Sequence, residues 1–272
     1  MRTLDELKHN WEGFAQTDAL WAILTDPEKR GNRWQAEEFF ATGEHEVATV
    51  LGRLRDVGLE ADTRLAALDF GCGVGRLTQA LAARFAECWG IDISPTMVEQ
   101  ARRFNRFPDT CRYLVNDSTR LSAFEEGRFG FIYSSIVLQH IEPAYVREYL
   151  AEFVRVLRPG GFLVFQLPDR LIPPPAPRPS PLARLRARLR LGTRLRALAG
   201  RPPAPPRPAP GFQMDMHCLA EAGVREIVGA AGGRVVDVAL TNSTLPDFNG
   251  RLRYLDAEPR EGYVSKQYCV SK

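Results

Sequence analysis

Lysine is nearly missing from this 272-residue chain: of 36 basic residues, only four are Lys. Also missing is any run of 18 apolar residues, so no membrane-spanning helix is expected. The opening MRTLDELKHN mixes acids with bases and has no apolar centre, so no signal peptide is expected. The five cysteines (72, 88, 111, 218 and 269) are odd in number and form no Cys-x-x-Cys pair. A disulfide framework and a zinc site are thereby set aside in favour of reduced, mostly buried thiols and a cytoplasmic setting. No His, Asp or Glu cluster has metal-ligand spacing, so no metal is expected. The excess of positive charge is equally thin. The whole chain sums to +3, yet residues 170–210 contain ten arginines and no acid, and taking those ten from +3 leaves −7 for the remainder. A nucleic-acid partner is therefore not expected from overall charge, and any such argument rests on that one segment.

What is present is organised in four parts. Residues 1–60 read as a helical N-terminal cap, with Leu4, Leu7, Trp11 and Phe14 on one stripe and Val47, Val50, Leu54 and Val57 on another. Residues 61–170 alternate short apolar runs with amphipathic ones. RLAALDF, ECWGIDIS, CRYLVNDS, FGFIYSSIVL and FLVFQLP are predicted strands, and RLTQALAARF and the stretch after Ser94-Pro95 are predicted helices. Pro143 opens another helix, which RPGG stops. Residues 171–210 are an Arg/Pro-rich insertion, and 211–272 complete the core with a helix and two strands. Strands alternating with helices imply right-handed crossovers and a mainly parallel sheet. The last two strands lack an intervening helix, so the final one is predicted to pair antiparallel. The expected fold is α/β, with a Rossmann-like, mostly parallel seven-stranded sheet.

Three glycines in five positions, LDFGCGVGRL, mark the strand-to-helix turn where a ligand can approach the backbone closely. A dinucleotide fingerprint would need glycine where Arg76 stands, and no Gly-Lys-Ser/Thr phosphate loop is present. Asp69 just before the first glycine suits a cationic ligand better than a pyrophosphate. Asp92 ends the second strand, where a carboxylate can accept from both hydroxyls of a ribose. Asp117 ends the third, placed to accept from an exocyclic amine of adenine.

These stretches resemble the class I S-adenosylmethionine-dependent methyltransferase family, of small-molecule type. LDFGCGVGRLTQAL is similar to its first motif and GIDISPTMVEQAR to its second. NDSTRL is similar to its adenine-contacting segment, FGFIYSSIVLQHIEP to its fourth motif, and VLRPGGFLVF to the helix-turn-strand that follows. The resemblance covers residues 64–170 and resumes more weakly over 215–272. It implies that S-adenosyl-L-methionine is the cofactor, with Gly71, Gly73 and Gly75 around its methionine part and Asp92 on the ribose. Ile93 and Met97 would flank the adenine, Asp117 would bind its amine, and Ser118 would supply nearby backbone. Ser134 and Gln139 would lie along the cofactor near the sulfonium. Arg33 or Trp34 is the expected contact for the methionine carboxylate.

The implied activity is direct in-line methyl transfer to an oxygen or nitrogen of a small-molecule acceptor, mainly by alignment and desolvation. His140 is the candidate base, with packing beneath the cofactor as its plainer role; His217 and Tyr133 are weaker candidates. Trp11, Phe14, Trp21, Trp34, Phe39 and Phe40 either line an acceptor site or simply bury the cap on the sheet. Residues 182–198 interleave leucine with arginine. They read as a helix for an anionic surface or acidic partner, a lid over an anionic acceptor, or a solvated insertion without chemistry. Two rival functions stay open: a nucleic-acid methyltransferase tethered by those arginines, and a catalytically silent cofactor-binding scaffold.

Overall fold

The computed structural model describes residues 3–174 and 214–272, and of these 3–172 and 214–272 belong to one compact unit. Residues 175–213, which include all but the first four residues of the Arg/Pro-rich insertion 171–210, lie outside the described residues, and with them the expectations for 182–198. Six helices and eight strands are described: α1 (Leu4–Ile23), α2 (Ala36–Asp56), β1 (Ala66–Phe70), α3 (Arg76–Ala82), β2 (Glu87–Asp92), α4 (Pro95–Phe104), β3 (Cys111–Val115), β4 (Phe129–Ser134), α5 (Pro143–Val156), β5 (Leu157–Ile172), α6 (Glu221–Ala230), β6 (Arg234–Thr241), β7 (Tyr254–Leu255) and β8 (Gly262–Ser271).

The strands form one sheet in the order β3-β2-β1-β4-β5-β8-β6-β7. From β3 to β5 the pairing is parallel, and β8 runs antiparallel between β5 and β6. The antiparallel insertion follows because β8 needs no crossover helix to reach its place. Eight strands stand where seven were expected; the extra one, β7, pairs only Leu240 with Leu255 and Thr241 with Tyr254 at the sheet edge. Two residues leave no alternation to read, so β7 had no signal in the sequence.

Successive strand residues point to opposite faces, and both faces are covered. Ala67, Phe131 and Val164 pack with Phe39, Val47, Leu81 and Val98 of the helices on one side. Their chain neighbours Leu68, Ile132, Leu163 and Phe165 pack with Leu150, Phe153, Val224 and Val228 on the other. Helix starts obey local rules. Thr3 and Glu6 form a reciprocal capping box on α1, and the Ser94 hydroxyl accepts from Met97 N–H at 3.1 Å to cap α4. The fourth strand stops at Ser134, four residues before the run of apolar residues does. Ile136 there takes a left-handed φ of 54°, which turns the chain away from the sheet.

Candidate active site

The glycine turn follows β1, and all three glycines have positive φ: 73° at Gly71, 52° at Gly73 and 89° at Gly75. A Cβ would lie 2.4 Å from Val137 Cγ2 at Gly71, 2.5 Å from Ile23 Cδ1 at Gly73 and 2.4 Å from the Tyr113 hydroxyl at Gly75. Conformation and space both demand glycine there. The Gly71 and Cys72 N–H groups donate to the carbonyl of Ile91 at 2.8 and 2.9 Å, tying the turn to β2. Gly73 N–H donates to Oδ2 of Asp92 at 2.9 Å, and Ser94 N–H to its Oδ1 at 2.9 Å. Ile93 N–H also acts on this carboxylate, and its four lone pairs still leave acceptor capacity for a ligand. Burial raises the Asp92 pKa, opposed by these N–H donors.

Beside the turn opens a cavity of about 900 Å³, the open solvent at its mouth included. Gly71, Gly73, Asp92, Ile93, Met97 and His140 line it. The other expected residues support it from outside the lining. Gly75 starts α3. Asp69 is buried and accepts from the Thr78 hydroxyl at 2.6 Å, and desolvation raises its carboxyl to about 7. The Ser134 hydroxyl donates to Phe70 O at 3.1 Å. The Ser118 carbonyl accepts from Tyr149 and from the Asn116 amide. Gln139 stands behind His140, and Asp117 is exposed and paired with Lys8 at 2.8 Å. Arg33 is exposed and Trp34 donates its indole N–H to Leu24 O; neither lines the cavity. The Tyr133 hydroxyl donates to buried Glu46 at 2.8 Å, away from the lining.

Sequence reasoning passed over Asn116, Ser135, Ile136, Val137, Arg76 and Tyr149, all of which line the cavity. Asn116 and Ser135 each neighbour a residue that was singled out. At a strand end a one-residue shift changes the face a side chain points to, and only the sheet register decides it. Arg76 is almost fully buried against Glu46 at 2.8 Å and also reaches Thr42. That pair joins α2 to α3 across 30 residues, a distance that carries no sequence signal.

Helix α1 closes one side through Leu7, Trp11 and Ile23. Its Glu12 accepts from the Ser94 hydroxyl at 2.6 Å, Thr96 N–H at 3.3 Å and the Thr96 hydroxyl, while the Gln100 amide donates to Ala15 O at 2.9 Å. The helix breaks at Asp18, whose φ is extended at −158°. Its carboxylate instead accepts from Gly31, Asn32 and Trp21 N–H groups. His140, in a 3-10 turn after β4, is neutral at physiological pH. Burial lowers its pKa to about 4, Nδ1 lies 2.7 Å from Asp215 O, and the Trp11 ring meets it edge-on with centroids 5.5 Å apart. Among the described residues, no group of three or more His, Cys, Asp or Glu could hold a metal, and no helix is long and apolar enough to cross a membrane.

Comparison with known proteins accords with this geometry. Residues 68–165 match the family profile described as a methyltransferase domain. Over 123 residues the chain is 41% identical to trans-aconitate 2-methyltransferase of Methylobacterium radiotolerans, covering 44% of each. Over 111 residues it is 34% identical to 2-methyl-6-phytyl-1,4-hydroquinone methyltransferase of Synechocystis, covering 39% of this chain and 34% of that one. The chain thus spans less than half the length of these two curated relatives. Among solved structures, an S-adenosylmethionine-dependent methyltransferase of Leishmania major superposes with a TM-score of 0.60 at 14% identity, over all of this chain and 87% of the other. Magnesium protoporphyrin IX methyltransferase of Synechocystis, with bound S-adenosylhomocysteine, gives 0.55 at 16% identity over 97% of both. Residues 68–165 thus carry a methyltransferase domain, and the glycine turn braced by an acid at the end of β2 and the strand order with its antiparallel β8 accord with the resemblance to class I S-adenosylmethionine-dependent methyltransferases.

Proposed function

We propose that this protein transfers a methyl group from S-adenosyl-L-methionine to an oxygen or nitrogen of a small-molecule acceptor. The observation that carries the reading is the Asp92 carboxylate, held at the cavity wall by Gly73 and Ser94 N–H groups with acceptor capacity left for a ligand. The cradle fits the cofactor, because glycines keep the floor bare, the Asp92 carboxylate faces the space, and the one guanidinium in the lining, Arg76, is paired with Glu46. In this reading Gly71, Gly73 and Gly75 shape the floor for the methionine part, and Asp92 takes the ribose hydroxyls. Ile93 and Met97 flank the adenine, with Asn116, Asp117 and Ser118 at its amine edge. Asp69, Ser134 and Gln139 brace the walls. When bound, S-adenosylmethionine supplies a methyl group already activated by its sulfonium.

The protein's own part is then to align the acceptor and exclude water. Leu7, Trp11, Ile23, Ile136 and Val137 furnish an apolar lining suited to both. His140 is the proposed proton acceptor where the acceptor must lose a proton: it lines the cavity and is uncharged near pH 7, and it takes that proton on Nε2 by giving up its contact with the Gln139 amide. Its low pKa makes it a weak base, suited to acceptors that are themselves acidic. The names of relatives acting on trans-aconitate and on a hydroquinone support a small-molecule acceptor.

Calorimetric titration with S-adenosylhomocysteine, beside NADH, tests the reading. Binding of S-adenosylhomocysteine alone, lost in Asp92→Ala, is the expected result; heat with NADH instead would overturn it. For His140 the test is the pH profile of turnover in His140→Ala: an unchanged profile with intact cofactor binding removes the base role.

A further inference from the structure

Behind the cavity wall runs a chain of buried amides whose hydrogen-bond directions are all dictated from one end. The backbone N–H of Ile136 donates to Oε1 of Gln166 at 3.1 Å. A backbone nitrogen cannot exchange its donor role for an acceptor role, so Oε1 of Gln166 must be the acceptor. Nε2 of Gln166 then donates, to Oε1 of Gln139 at 3.1 Å and to the Ser265 hydroxyl at 2.8 Å. That orients Gln139 in turn and leaves its Nε2 facing Nε2 of His140 at 3.1 Å. An amide nitrogen only donates, so His140 Nε2 is the bare nitrogen and Nδ1 carries the hydrogen. At the far end Nδ1 lies 2.7 Å from the Asp215 carbonyl, which accepts that hydrogen. The two ends of the chain require the same tautomer independently. Gln166 is fully buried and Gln139 nearly so, so water does not relax these directions.

We propose that Gln139 and Gln166 are positioning residues that keep His140 an uncharged Nδ1–H imidazole, so that the cavity wall gains no positive charge beyond the Glu46-paired Arg76 and accepts a cationic cofactor. A protonated His140 would point Nε2–H at the Gln139 amide hydrogens. Rotating that amide would in turn set Gln139 nitrogen against the Gln166 donor. The charges around the imidazole are few. Asp215 and His217 act on it from the segment that precedes α6, Asp92 and Tyr149 share its cavity, Trp11 is neutral, and the Arg76 charge is matched by Glu46. Burial acts in the same direction as the amide chain.

The inference rests on the proposed cofactor for its purpose but not for its geometry, and two measurements keep these apart. The first is nitrogen-15 NMR of the histidine side chains in the full-length protein, with His140→Ala used only for assignment. The wild type should show His140 as the Nδ1–H tautomer down to about pH 5. In Gln139→Leu its titration midpoint should rise by about one unit or more towards the ordinary histidine value. The second is the affinity ratio of S-adenosylmethionine, a sulfonium, to S-adenosylhomocysteine, a neutral thioether, between about pH 8 and pH 5.5. The wild-type ratio should stay flat. In Gln139→Leu and Gln166→Leu it should shift several-fold against the sulfonium at acid pH, whereas a merely structural defect would weaken both ligands alike. An Nε2–H tautomer in the wild type, or an unmoved midpoint in Gln139→Leu, would overturn the inference. A flat ratio in both variants would do the same. If Gln166→Leu fails to fold, Gln139→Leu alone decides. If neither ligand binds the wild type, the proposed function falls while the tautomer still tests the amide chain.

Discussion

At the scale of single residues, Asp92 and Gly73 are one device: the glycine supplies both the positive φ and the N–H that steadies the carboxylate. Gly73→Ala should destabilise the fold by about 1–2 kcal/mol from the left-handed backbone alone, more if Ile23 cannot yield. Urea titration measures this. Asp92→Asn keeps the shape but loses the charge and half of the acceptor capacity. S-adenosylhomocysteine affinity should fall by about tenfold or more, since a hydrogen bond to a charged group contributes about 1.5–3 kcal/mol. Asp69 and His140 set opposing pH dependences. Burial raises the Asp69 carboxyl to about 7 from 3.8, so the folded state binds the extra proton and stability falls as pH rises through that window. Burial lowers His140 to about 4 from 6.5, so the unfolded state binds the extra proton and stability rises with pH between those values. Asp69→Asn should therefore leave a protein whose stability rises from about pH 4 to 6.5 and is flatter above that, as denaturant midpoints across pH would read. Ile136 is a β-branched residue at φ 54°, strain on the order of 1–3 kcal/mol. Its N–H bond to Gln166 helps hold it there.

At the scale of elements, α1 is held over the cavity by its polar side as well as by packing. Glu12 reaches Ser94 and Thr96 at the start of α4, and Lys8 reaches Asp117 past β3. Of these, the exposed Lys8–Asp117 pair contributes little. The Glu12 contacts are part-buried and converge on one carboxylate. Glu12→Ala should raise hydrogen exchange over residues 4–17 by about tenfold, equivalent to about 1.4 kcal/mol, and leave the central strands unchanged. Equal loosening of β1 and β4 would show instead that α1 and the sheet open together. The helical character of α1 was legible from Leu4, Leu7, Trp11 and Phe14. Its break at Asp18 was not, because the carboxylate bonds that sustain the break come from Gly31 and Asn32, beyond any helical period.

At the scale of the whole molecule, every described residue lining the cavity lies between Leu7 and Tyr149, on the parallel half of the sheet. Replacing residues 175–209 by a flexible Gly/Ser linker should therefore leave S-adenosylhomocysteine binding and the urea midpoint unchanged; lost binding would assign that segment a part in the site. The antiparallel half carries β8, whose Ser265 accepts from Gln166, so the far side of the sheet still reaches the wall through the amide chain. By itself the sequence determined the class of fold, the place of the glycine turn, the acids at the strand ends and the position of His140. Each of these is a local pattern: an alternation, a cap, a spacing of glycines. Tertiary structure alone decided that Asn116 rather than Asp117 lines the cavity, that Arg76 lies buried against Glu46, and that His140 is fixed as one tautomer through Gln139 and Gln166. Those features depend on strand register and on partners far apart in the chain. A register shift of one residue reverses which side chain faces the ligand, and no local pattern records it.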